Sequence, residues 1–131
     1  MQLDSLGYKT VLDTNDIDAA VTRVTEALKA EGFGVLTTID VEATFRAKLD
    51  VEFGPYRILG ACNPKLAHAA LTHAPALGLL LPCNVTVRQV QGGMEVSFIK
   101  PTEMFRALDD PGLSKIAHDA DVRLKRAVDA L

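Results

Sequence analysis

Cys83-Asn84-Val85-Thr86-Val87-Arg88-Gln89-Val90-Gln91-Gly92-Gly93-Met94-Glu95-Val96-Ser97-Phe98 is the stretch that decides the fold class. Cys83, Val85 and Val87 alternate with Asn84, Thr86 and Arg88; beyond the two glycines, Met94, Val96 and Phe98 alternate with Glu95 and Ser97. Successive side chains of a strand point to opposite faces, and paired glycines suit a tight hairpin turn. The stretch therefore predicts an antiparallel hairpin with one dry and one wet face, as in a sheet covered on one side.

Upstream, Tyr8 to Leu12 and Phe33 to Ile39 read as strands. Between them Ile17, Ala20, Val21, Val24, Ala27 and Leu28 recur at helical spacing, with cap oxygens at Thr14-Asn15-Asp16 and Gly32 to end the helix. Asp40 caps a shorter helix with Val41, Phe45 and Leu49 on one face. Tyr56 to Cys62 is a strand with Tyr56, Ile58, Gly60 and Cys62 on one face, a candidate core face, and Arg57, Leu59 and Ala61 on the other. Asn63-Pro64 then reads as an N-cap followed by proline at the first helical position, opening a helix that runs to about His73.

Downstream, Pro101 to Leu108 reads as a short helix, broken at Asp109-Asp110-Pro111-Gly112. The last helix holds Leu113, Ile116, Ala117, Ala120, Leu124, Ala127, Val128 and Leu131 on one face. Asp119 with Arg123 and Asp121 with Lys125 are spaced four apart on the other face, as solvated ion pairs. The elements predict an α+β fold: a two-layer sandwich with helices packed on one face of a largely antiparallel sheet. The alternation of helices with the first three strands leaves a partly parallel sheet open.

Composition narrows the function classes. The 131 residues suit a single domain, 1–131, and hydrophobic residues at 48% with charged residues at 24% exclude a disordered or fibrous chain. Lys+Arg 14 against Asp+Glu 17 gives −3, and there are five Phe, two Tyr and no Trp. That is neither the positive surface nor the stacking platform of a nucleic-acid binder. No apolar run approaches the ~20 residues of a membrane span, and Met1 to Asp13 lacks the pattern of a secretory signal. The expectation is a cytoplasmic protein whose two cysteines are reduced thiols.

Those cysteines carry the only local echo, Cys62-Asn63-Pro64 and Pro82-Cys83-Asn84, each at a strand end. If the strands are neighbours, two thiols and two amides converge on one pocket. The competing account is structural, since cysteine is among the most buried residue types and Asn63 serves as a cap. Asn84 is disfavoured in a strand and follows Pro82, which cannot donate to a ladder; together they predict an irregular sheet edge. Cys62 immediately precedes a helix start, which mildly activates its thiol if the sulfur points along the helix axis; its side chain equally belongs to the Tyr56–Ile58–Gly60 face. Tyr56-Arg57 offers a hydroxyl and a guanidinium. His68 and His73 lie ~140° apart on their helix, so they form no chelating pair, and His118 is on the charged side of its helix. A Cys62–His68–Cys83 zinc site rests on no spacing rule, and no metal site is predicted. Glycine-rich phosphate loops are absent.

Tyr56-Arg57-Ile58-Leu59-Gly60-Ala61-Cys62-Asn63-Pro64, Leu66-Ala67-His68-Ala69-Ala70-Leu71 and Gly78-Leu79-Leu80-Leu81-Pro82-Cys83-Asn84-Val85 resemble the bacterial and archaeal family known as domain of unknown function 302. Gly34 to Val41 and Arg123 to Asp129 match its flanks. The resemblance implies an α+β sandwich similar to TATA-binding-protein-like folds, and a homodimer. It implies no reaction, no cofactor and no catalytic residue, and fold likeness alone licenses no DNA binding. The ligand-site candidates are Cys62, Asn63, Cys83, Asn84 and Tyr56. The leading expectation is a homodimeric ligand-binding or accessory protein with a small-molecule pocket near the two Cys-Asn steps. A thiol-based redox or metal-dependent enzyme using Cys62, and a purely structural or interaction module, remain the alternatives.

Overall fold

Strands β4 (Cys83–Val90) and β5 (Gly93–Ile99) form the expected hairpin, Val85 opposite Phe98 and Val87 opposite Val96. In the computed structural model, which describes residues 5–131, Gly92 turns the chain at φ +97°, a backbone region that side-chain-bearing residues rarely adopt. Strands β1 (Gly7–Leu12), β2 (Gly34–Asp40) and β3 (Tyr56–Cys62) extend the hairpin to a five-stranded sheet in the order β1-β5-β4-β3-β2. Every neighbouring pair is antiparallel, so the partly parallel option falls. Parallel neighbours need a crossover that returns the chain to its starting end. Here helix α2 (Val41–Leu49), and helix α3 (Pro64–His73) with the 3-10 turn Pro75–Leu80, leave and re-enter the sheet at one end.

Helices α1 (Ile17–Ala30) and α5 (Pro111–Asp129) pack together over one face and make this an α+β sandwich. Asp16 caps α1 by accepting from the Asp18 and Ala19 N–H groups at 2.9 and 3.3 Å. Val24 and Leu28 of α1 and Leu124 of α5 meet Leu59, Val85, Val87, Met94, Val96 and Phe98, all buried. Each large side chain removed from water in this way contributes roughly 1.5–3 kcal/mol. A second apolar cluster gathers Ala70, Leu77, Phe105, Leu113 and Ala117. It splits the expected 101–108 helix: α4 (Pro101–Met104) stops where Phe105 turns inward, and Arg106–Leu108 is a 3-10 turn.

Three expectations are corrected by this arrangement. The helix-covered face of β3 carries Leu59 and Ala61, both 0% exposed, while Tyr56 and Ile58 lie half-buried on the other face. Pro82-Asn84 marks no sheet edge, because β4 is the central strand and the edges are β1 and β2. What sequence reads there as irregularity is the entry into a strand. Asp121 is no solvated partner of Lys125: it is buried, accepts from the Tyr8 hydroxyl, and accepts from Thr102 Oγ1 at 2.6 Å. Lys125 pairs with Asp129 at 2.6 Å, whereas Asp119–Arg123 forms as expected at 2.8 Å.

Candidate functional site

Ala61 faces Cys83 in the β3–β4 ladder, so Cys62 lies one residue beyond that pair. The strand ends that carry the two cysteines are therefore neighbours. Asn63 follows at once as the N-cap of α3, its Oδ1 accepting from the Leu66 N–H at 3.2 Å, with Pro64 in the first turn, where the missing N–H costs no hydrogen bond. Cys62, Asn63 and Cys83 line one cavity of about 340 Å³. It occupies the seam between the two apolar clusters, with Phe33, Ala61 and Ala120 on one side and Ala70, Phe105 and Ala117 on the other.

The rim on the β2 side is built by a bulge. Val35 pairs with Ala61 and Thr37 with Gly60, which leaves Leu36 between them without a partner. A bulge of this kind inserts one residue and re-aims the side chains around it. Leu36 lines the cavity and is 67% exposed. Pro82 closes the wall over Gly60, where a Cβ would collide with Thr37 Oγ1 and lie 2.8 Å from Pro82 Cγ. Only glycine admits both neighbours.

Tyr56 and Asn84 are not part of this cavity. Asn84 is exposed opposite Gly60 on the uncovered face of the sheet. With Tyr56, Thr86, Arg88 and Ser97 it lines a more polar groove of about 330 Å³, where Arg88 pairs with Glu95 at 2.9 Å. The Tyr56 ring is 5.9 Å from that of Phe53, which in turn meets Phe45 edge-on at 5.0 Å. The five candidates thus divide between the two sides of the sheet.

Burial sets the electrostatics of the thiols. It pushes Cys83 up to about 11, with the neighbouring Cys62 charge adding to the shift, and it raises Cys62 as well. The mild activation expected from the helix start is therefore reversed, because desolvation disfavours the thiolate. No three His, Cys, Asp or Glu side chains among the described residues gather as metal ligands; His68 is exposed and does not line the cavity. His118 is exposed, and His73 holds Asp110 at 2.9 Å, which keeps that carboxyl below its usual range.

Leu36, Phe105 and the alanines of the lining belong to no reactive pattern, so residue chemistry does not mark them. A signal was present all the same: Ala67 and Ala70 of α3, with Ala117 and Ala120 of α5, sit on apolar stripes yet fill little space.

The family model for the domain of unknown function DUF302 matches residues 8–131. The chain belongs to the DUF302 family. It is similar to the crystal structure of an uncharacterised conserved DUF302 protein from Bacillus stearothermophilus, with a TM-score of 0.86 and 34% identity over 95% of this chain and 96% of that one. No curated protein matches. Among the described residues of this DUF302 chain no helix is long and apolar enough to cross a membrane.

Proposed function

We propose that this DUF302 chain is a homodimeric ligand-binding or accessory protein whose site is the cavity between the β3 and β4 ends and helices α3 and α5. The observation that carries the reading is the convergence of Cys62, Asn63 and Cys83 on one concave space. Its volume falls at the lower end of the roughly 300–1,000 Å³ of small-molecule sites. Raised thiols speak for binding over nucleophilic chemistry, which needs a thiolate at working pH. For the dimer, the support is the β2 edge beyond the bulge and the segment after it, where Ile39, Leu49, Val51 and Phe53 are exposed. Past the bulge, residues 37–40 continue as a regular edge strand, on which a second copy can pair.

Native mass spectrometry of freshly purified protein tests both parts. The expected spectrum is a dimer carrying a small molecule, with the adduct lost in Cys62→Ser and Cys83→Ser variants that keep the wild-type circular dichroism. A monomer at micromolar concentration refutes the dimer, and a ligand indifferent to both substitutions removes the cysteines from the site.

A further inference from the structure

Resting on the reading of the cavity as a binding site, we infer that its ligand class is an uncharged, mainly hydrocarbon small molecule, admitted past the bulge residue Leu36. No carboxylate, ammonium, guanidinium or imidazole stands among the described residues that line the cavity. The polar atoms available are few. Asn63 is 8% exposed and its carbonyl oxygen already serves Leu66; Thr37 brings one hydroxyl and the cysteines two thiols. A charge brought into such a wall loses water and gains no partner. An alkyl or aryl group instead removes its own apolar surface and that of the cavity from water.

Leu36 gives this selectivity a structural origin. As the unpaired residue of the bulge it adds a large apolar side chain to the rim without displacing Val35 or Thr37 from the ladder. Deleting Leu36 joins Val35 to Thr37, which already oppose consecutive residues of β3, so the strand pairing survives and only the rim is lost.

The test uses the neutral dye N-phenyl-1-naphthylamine on the full chain, with displacement by octan-1-ol and by octanoate. Saturable dye fluorescence is expected, with octan-1-ol displacing at least about tenfold better than octanoate, because the carboxylate resists desolvation. Ala67→Leu, which fills the cavity from half-way along its α3 wall, abolishes dye binding; Ala69→Leu on the exposed side of the same helix leaves it unchanged. The Leu36 deletion, and Leu36→Asn should the deletion fail to fold, weakens dye binding severalfold with an unchanged melting transition. Dye binding that responds to Ala67→Leu but is displaced equally by octanoate overturns the ligand class and leaves the site standing. Dye binding untouched by both Leu36 changes removes Leu36 from the rim. No saturable binding at all overturns the site itself.

Discussion

Tyr8 of β1 donates its hydroxyl to the buried carboxylate of Asp121 on α5, fastening the first strand to the last helix. Thr102 completes the knot, its hydroxyl at 2.6 Å and its N–H at 3.4 Å from the other carboxylate oxygen. The ammonium groups of Lys100 and Lys125 lie 4.8 and 5.8 Å from the centre of the Tyr8 ring, close enough for cation–π attraction. Replacing Asp121 with alanine leaves two hydroxyl donors without their acceptor. The expected loss in urea unfolding is about 1.5–3 kcal/mol, the range for a hydrogen bond to a charged group; a change under 0.5 kcal/mol would place the knot outside the cooperative core.

The same contact predicts an alkaline transition. Burial, then the hydrogen bond to Asp121, pushes Tyr8 up to about 12 from an ordinary value of 10.0. Between those values the unfolded chain releases the phenolic proton and the folded chain keeps it. This contribution to stability is thus complete below pH 10 and lost as pH rises through about 12. Absorbance of phenolate against pH should show a step near 12 that Tyr8→Phe removes, and the variant should lose stability less steeply over that window.

How far all this was readable in the chain varied with the kind of question. The Cys83–Phe98 alternation placed the hairpin and its two faces, and Asn63-Pro64 placed the start of α3, because these signals are local. Asp121 is not legible as buried, because an acid four residues before Lys125 looks the same whether its flank meets water or a strand more than a hundred residues earlier. Pro82-Asn84 resembles a sheet edge for a related reason: a missing donor marks an interruption of pairing but not whether it falls at a strand's end or along its side. Period-two spacing put Tyr56 opposite in sense to Leu59 but was silent on which face the helices choose. The cavity itself is made of volume left by alanines, which no reactive motif announces.

Gly60→Ala tests the packing of Pro82 against β3. The added methyl group meets Thr37 Oγ1 and Pro82 Cγ, and overpacking of this kind costs about 1–3 kcal/mol. Adding Thr37→Ala should recover part of the loss by removing one of the two obstacles. Equal stability of Gly60→Ala and wild type would show that the wall gives way freely.

Thiol reactivity follows from desolvation. Alkylation by iodoacetamide should be slow at pH 7.5 in the native protein, with Cys83 reaching half its maximal rate near pH 11. Removing the neighbouring charge in Cys62→Ser should move that midpoint down. Rapid alkylation of either cysteine at neutral pH would favour a reactive thiol over a cavity wall.

The most direct measurement of the central claim is amide chemical-shift mapping of the folded protein as octan-1-ol is added. The account predicts saturable shifts at Leu36, at Ala61 to Leu71, at Cys83 and at Ala117 to Ala120, with Thr86, Arg88 and Ser97 on the uncovered face unmoved. Shifts centred on that uncovered face, or none that saturate, would contradict it.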